Sequence, residues 1–414
     1  MSAFGASAPD DITRREFVAV ATSAPLAIRA LRGMSAERVV VVGAGAFGGW
    51  SALALLRAGY RVTLVDAWGA GHARASSGGE TRVIRGVYNG VVAYTQMAAR
   101  AFTLWREAEA HWGRRVYHRT GTLWMCGGDD GYVRRSVEPM RAAGLPLEEL
   151  TLDEVRRRFP RFALDDVRTA WWEPEAGFLT ARVACELVRE TFVREGGEYV
   201  QGEAGPAVVA TNRLGAIGVS AVGRPSVRLE ADHWVYACGP WLPRVIPELG
   251  RRIVATRQEV VFFGTPAGDP GWNAGAMPTW VHLGERLVYG LPDFERRGIK
   301  IADDTAGPEV DPTTMDRAPS AAGLANARAI LRARFPTLAD APVTEARVCQ
   351  YEASSDGHFI VDRHPMLHNV WLVGGGSGHG FKMGPALGEH VAALVQGRAQ
   401  VHPLFAYDRL KLRG

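Results

Sequence analysis

The alternation of apolar and polar positions begins to make sense at Arg38, where Arg38-Val-Val-Val-Val-Gly43 is the kind of short β-branched run that forms a fully buried parallel strand. A glycine-rich turn, Gly43-Ala-Gly45-Ala-Phe-Gly48, follows at once. Helix formers run from Gly49 to Ala58 and stop at Gly59, and Tyr60 to Val65 is a second apolar strand ending in Asp66. The pattern predicts one βαβ unit. Met97, Ala101, Leu104, Trp105, Ala108 and Trp112 recur at helical spacing and predict a core-packed helix. Polar segments Gly131 to Ala143 and Thr151 to Arg158 predict surface helices, the second opening with the capping-box pattern Thr151-Leu-Asp-Glu.

Beyond Thr180 a helix is expected towards Glu195. Short strands at Glu198 to Gln201, Val208 to Ala210 and Ile217 to Val222 suggest a meander, and His233 to Ala237 is a further strand leading into Cys238-Gly-Pro-Trp241. Runs at Arg252 to Phe263, Arg286 to Tyr289, Ile299 to Ile301 and Val343 to Tyr351 predict a larger, mostly antiparallel sheet. Val370 to Val373 is a buried strand ending in Gly374-Gly-Gly376, and Leu387 to Leu394 a helix. The fold expected is α/β with α+β character, a Rossmann-type domain interleaved with a substrate domain. The first would take residues 36–118, 180–248 and 352–414, the second 119–179 and 249–351.

Composition narrows the function. In 414 residues, 47% hydrophobic content supports a large core, and a net charge of +4 spread over scattered arginines gives no basic stripe for nucleic acid. No apolar run reaches the ~20 residues of a membrane span. Cys126, Cys185, Cys238 and Cys349 lie far apart, so neither a close-spaced disulfide framework nor a Cys-x-x-Cys metal site is suggested. Residues 1–35 read as a leader. Thr13-Arg-Arg-Glu-Phe-Val18 before a mildly apolar stretch to Ile28 resembles a twin-arginine export signal, while initiation at Met34 is the other reading, so exported and cytoplasmic locations both stay open.

The Gly43, Gly45 and Gly48 spacing between strand and helix lets a pyrophosphate approach the helix N-terminus, and Asp66 stands where a carboxylate accepts hydrogen bonds from an adenosine ribose. This implies a dinucleotide but does not separate NAD from FAD.

The residues that discriminate lie in Ser76-Ser-Gly-Gly-Glu-Thr-Arg-Val-Ile-Arg85, in Val348-Cys-Gln-Tyr-Glu352 with His358-Phe-Ile-Val-Asp362, and in Gly376-Ser-Gly-His-Gly-Phe-Lys382. With the βαβ turn, in this order, they resemble the monomeric sarcosine oxidase family of D-amino-acid-oxidase-type flavoproteins, which includes N-methyltryptophan and pipecolate oxidases. The resemblance implies an FAD-dependent oxidase of a small secondary amine or an N-methyl or cyclic amino acid. In that chemistry a hydride equivalent moves to flavin N5, an imine is released and hydrolysed, and dioxygen becomes hydrogen peroxide. It implies a monomer whose partners are a small amine and dioxygen. Further implied are FAD bound covalently through Cys349, with Arg347 as a source of positive charge for the thiolate, and cofactor contacts from Thr81, Arg82, Gly376, Gly378, Gly380 and Lys382. Arg85 and Lys382 would hold a substrate carboxylate, Lys300 would activate dioxygen beside Arg82, and Tyr289 and Tyr351 would wall the pocket.

Two positions depart from the family, whose histidines are replaced by Asp304, able to pair with a cationic substrate group or to stand in solvent, and by Gly78, which removes a ring near the flavin. An FAD-dependent dehydrogenase passing electrons to a quinone or carrier, and a flavin-binding protein without chemistry, are the alternatives. The joint presence of Arg82, Arg85, Lys300 and Lys382 argues against the second.

Overall fold

The computed structural model describes residues 37–205, 212–221 and 224–410. The leader and the expected strand Val208 to Ala210 lie outside the described residues. Among them, six strands form a sheet in the order Ile360–Arg363, Val370–Gly374, His233–Tyr236, Arg38–Val42, Arg61–Asp66, Glu198–Gln201, all parallel except the first, which pairs antiparallel with its neighbour. The central strands are buried on both faces, which is why Val39 to Val42 and Val370 to Val373 read as continuous apolar runs rather than as alternation. One face is covered by the helices Ala46–Arg57, Val92–Trp112 and Gly384–Val395, with Trp50, Ala52, Leu53 and Leu55 meeting Leu387, Val391 and Leu394 in one core.

Glu198–Gln201 corrects one expectation: it joins the edge of this parallel sheet. Only Glu203–Ala204, Ala216–Ala221 and Arg224–Glu230 make an antiparallel meander. The capping box forms as read, with the Glu154 amide donating to Thr151 Oγ1 at 3.2 Å and the Thr151 amide to Glu154 Oε2 at 2.8 Å. The segment Gly131 to Ala143 divides into two short helices, Gly131–Arg134 and Val137–Ala142.

The second large sheet runs Val343–Ser354, Ile253–Phe263, Ile299–Asp303, Leu287–Leu291, Thr279–Leu283, Thr122–Cys126, Thr169–Glu173, Glu148–Leu150. It is antiparallel except where Thr279–Leu283 lies parallel to Thr122–Cys126. Its alternation has a structural purpose. Val261, Phe263, Ile299, Ile301, Leu123 and Trp280 point to a core closed by the helix Ala321–Arg334, whereas Val260, Phe262, Lys300, Val281 and Trp124 face the other way and form the wall of a cavity. A small sheet joins the two layers: Thr81–Ile84 pairs with Gly177–Thr180, which pairs with Tyr117–His118. No helix among the described residues is long and apolar enough to cross a membrane.

Candidate active site

The glycine turn is built by close approach of backbone to backbone. Gly43 has φ +104°, and a Cβ on it would sit 2.3 Å from the Ala237 carbonyl oxygen; one on Gly48 would sit 1.8 Å from that of Gly43. Gly45 differs, because a Cβ there would meet only Ser77 Oγ at 3.4 Å while the residue lines a cavity of about 530 Å³. Asp66 is engaged more heavily than the sequence suggested: its carboxylate accepts the amides of Ala44 (2.8 Å), Trp68 (3.0 Å) and Gly69 (2.8 Å). A carboxylate has about four acceptor sites, so one is left for a ribose hydroxyl. Gly376, Gly378 and Gly380 line the same cavity, and a Cβ on Gly376 would stand 3.7 Å from the Phe47 ring, in the space the turn leaves open.

A second cavity of about 250 Å³ continues from the first, sharing Ala75, Arg82, Tyr351, Gly378 and Phe381 as walls. It gathers Arg82, Arg85, Tyr289, Lys300, Asp304, Cys349, Tyr351 and Lys382 from segments far apart in the chain. Period-2 spacing explains part of the convergence. Arg347, Cys349 and Tyr351 share one face of the strand Val343–Ser354, and Lys300 and Asp304 share one face of the segment that runs out of the strand Ile299–Asp303. Two residues expected at the cofactor are not among those lining either cavity: Gly48 lies behind the turn, and buried Thr81 acts through its carbonyl, which accepts Lys300 Nζ at 3.2 Å and Arg82 Nη1 at 2.7 Å.

Burial sets the electrostatics. Lys300 is 3% exposed and its ammonium is pushed down to about 7 by burial and the neighbouring Arg82. Lys382, donating to the His379 carbonyl at 2.7 Å and to the Tyr88 hydroxyl at 3.1 Å, is pushed well below the usual lysine range by burial and then by Arg85. The Arg85 guanidinium lies 4.3 Å from the Tyr88 ring centroid and 5.5 Å from that of Trp124. Asp304 lines the cavity instead of standing in solvent; Tyr351 donates to its Oδ1 at 2.9 Å, and burial raises its carboxyl to about 6 against the pull of Tyr351, Arg85 and Lys382.

Other expectations are corrected. Arg82 is held in place by the carbonyls of Thr81 and Ser76. Glu80 binds Arg347 at 2.9 Å, and Arg347 also binds Glu345, so two carboxylates already compensate the charge expected to favour a Cys349 thiolate. Arg317 is the cation that sequence reading missed on this wall. It donates to the Pro312 carbonyl at 2.8 Å, and its Nη1 is buried without a partner among the described residues. Glu173 was missed as well. Fully buried behind Arg85, it accepts the Trp124 indole N–H at 3.0 Å and the Gly86 amide, and burial pushes it up to about 7. Nothing in the local sequence marks Glu173, whereas Tyr88 and His379 sit beside residues already singled out.

Gly78 has a reason other than the removal of a ring near the flavin. A Cβ there would lie 1.8 Å from the His72 carbonyl oxygen, in the turn closed by the Gly78 amide donating to Ala75 O at 2.9 Å.

The cradle fits FAD: a turn with space beside Gly45, a cavity in the size range of cofactor sites, and a second chamber rich in positive charge. A βαβ unit opening onto such a chamber defines a dinucleotide-dependent enzyme. The chain belongs to the DAO family of FAD-dependent oxidoreductases, whose profile matches residues 38–394. It is 29% identical over 370 residues to monomeric sarcosine oxidase of Bacillus sp. (strain B-0618), covering 86% of this chain and 91% of that one. It is 25% identical over 380 residues to N-methyl-L-tryptophan oxidase of Yersinia pestis (strain Pestoides F), covering 91% and 99%. Among solved structures, L-proline dehydrogenase from P. horikoshii superposes with a TM-score of 0.78 at 21% identity, over 91% of this chain and 99% of that one.

Gly78→Ala is expected to lower both thermal stability and FAD affinity, the affinity by roughly tenfold or more, because the whole cofactor-facing turn must shift. Apoprotein in a Cys349→Ala background, where no covalent bond can form, titrated with FAD by fluorescence quenching checks this; an unchanged affinity would return Gly78 to the role of a mere space-maker.

Proposed function

We propose that the protein is an FAD-dependent oxidase of a small secondary amine that carries a carboxylate, an N-methyl or cyclic amino acid, with dioxygen as acceptor and hydrogen peroxide as product. The observation that carries this reading is the pairing of Arg85 and Lys382 in one buried chamber. A planar guanidinium and an ammonium, both short of water, are suited to gripping a carboxylate through charge-assisted hydrogen bonds. Two relatives named for sarcosine and N-methyl-L-tryptophan are in keeping with it.

FAD, when bound, supplies the two-electron acceptor. The turn from Gly43 to Gly48 and Asp66 would hold its adenosine and pyrophosphate end, Gly376, Gly378 and Gly380 would flank the middle, and Arg82 would stand beside its ring. Cys349 is the point of covalent attachment. Tyr289 and Tyr351 restrict the substrate to the space between Lys300 and the Arg85–Lys382 pair. The Lys300 ammonium, held by the Thr81 carbonyl, stabilises negative charge as it develops on dioxygen. The protein acts as a monomer of two domains with the boundaries read from the sequence.

A peroxide assay over N-methyl, cyclic and primary amino acids tests the reading. Peroxide is expected with carboxylated secondary amines, and the matching amines lacking the carboxylate should lose at least ~10²-fold in kcat/KM; equal rates with and without the carboxylate remove the role of Arg85 and Lys382. For Cys349, acid-precipitated protein should stay yellow and Cys349→Ala should release the colour; a colourless wild-type pellet overturns the covalent bond. For Lys300, Lys300→Met should slow flavin reoxidation by ~10²-fold or more while slowing reduction far less. Since its ammonium is already pushed down to about 7, wild-type reoxidation should slow as pH rises through that value. Equal slowing of both half-reactions contradicts the role.

A further inference from the structure

Proton accounting in this chamber leaves a gap that one residue is placed to fill. An amino acid arrives at neutral pH with a protonated nitrogen, and an ammonium has no lone pair from which oxidation can begin. The proton must leave inside a chamber that already holds Arg82, Arg85, Lys300, Lys382 and Arg317. Asp304 is the carboxylate there that is not locked into an ion pair. Glu80 is bound by Arg347, and Glu173 lies behind Arg85 with both oxygens occupied by N–H donors.

We propose, resting on the functional reading above, that Asp304 is the proton acceptor for the substrate's ammonium group, so that the zwitterion of an N-substituted amino acid is the form this site takes up. The carboxylate of the substrate lies on Arg85 and Lys382, the N–H bond breaks, and an O–H bond forms on Asp304. One proton moves and no electron does. The amine is left neutral and the chamber keeps its net charge.

The geometry supports each part. Asp304 Oδ1 accepts the Tyr351 hydroxyl at 2.9 Å, which orients the carboxylate, and the other oxygen has no hydrogen bond among the described residues. The residue lies just past the strand Ile299–Asp303, its amide donating to the Leu287 carbonyl at 2.9 Å, so its position is fixed by the sheet and not by a loose loop. The groups facing it are Tyr351 from the strand Val343–Ser354, two places away in the sheet, Tyr289 from the adjacent strand Leu287–Leu291, Arg85 from beyond the strand Thr81–Ile84 and Lys382 from the turn Phe381–Met383. Asp303 beside it is itself paired with Arg286 at 2.6 Å. When a substrate carboxylate compensates Arg85 and Lys382, the two cations that hold Asp304 ionised are weakened. Binding therefore raises the basicity of Asp304 at the moment a proton must be accepted. In the free protein the carboxylate is ionised above about 6, so the acceptor is ready at neutral pH.

The test uses the FAD-loaded protein, anaerobic flavin reduction and two probes, N-methyl-L-alanine and its N-trifluoroethyl analogue, whose weakly basic amine is already neutral near pH 7. Wild-type reduction per unit substrate should fall only below pH about 6. Asp304→Asn should lose roughly 10²-fold towards N-methyl-L-alanine at about pH 7.5, regain ~tenfold per pH unit towards the amine's own pKa, and lose much less with the trifluoroethyl probe. Binding of methylthioacetate, read as a perturbation of the flavin spectrum, should be retained, because that acid has no proton to give. A variant with the wild-type pH profile, or with equal losses for both amines while methylthioacetate still binds, overturns the proposal. Should Asp304→Asn not retain FAD, Tyr351→Phe decides: loss of the hydrogen bond to Oδ1 should move the wild-type acid limb upward, and an unmoved limb overturns it. Wild-type protein that oxidises no carboxylated secondary amine overturns the functional reading itself; a failure confined to the variants overturns only the role of Asp304.

Discussion

The structure turns on uncompensated positive charge held away from water. Arg82, Arg85, Lys300 and Lys382 converge on one chamber, and the acid groups nearest to them are few: Asp304 in the wall, Glu173 behind it, and Glu80 already taken by Arg347. Burying charge without a counter-charge costs free energy, and the chamber relieves part of that cost by depressing both lysines and by laying carbonyl oxygens of Thr81 and His379 against them. The remainder is a standing demand for an anion. The carboxylate of the proposed substrate would answer it.

That arrangement explains why the fold needs two sheets. The parallel sheet supplies a turn in which backbone atoms approach too closely for any side chain at Gly43 or Gly48. The antiparallel sheet supplies a wall whose alternation puts Lys300 and Cys349 on the chamber side and Ile299, Ile301 and Phe263 on the core side. Arg82 and Arg85 lie on and just beyond the short strand that bridges the two, and Lys382 on the turn that closes the parallel layer. No element holds the site alone, so the chemistry depends on the register of both sheets.

The βαβ unit was legible in the sequence because a buried parallel strand, a glycine turn and a terminal acid each leave a local mark. The motif residues were legible because they sit in compact runs, and the structure brings Arg82, Arg85, Lys300, Asp304, Cys349 and Lys382 to one chamber. What could not be read depends on long-range approach. Glu198–Gln201 looked like the start of a meander because its sequence says nothing of the neighbour it pairs with across 130 residues, roughly. Glu173, Trp124 and Arg317 carry no motif and acquire meaning only from what they touch. Gly78 looked like a missing ring, and only the position of the His72 carbonyl reveals that no side chain fits there.

The most direct test of the account is an anaerobic titration of the purified, FAD-loaded protein with an N-methyl amino acid, following the flavin absorbance. Bleaching that is complete at one amine per flavin, and that is competitively blocked by a carboxylic acid lacking the amine, is the expected result. A flavin that stays oxidised across carboxylated secondary amines, or one bleached equally well in the presence of saturating acid, would contradict it.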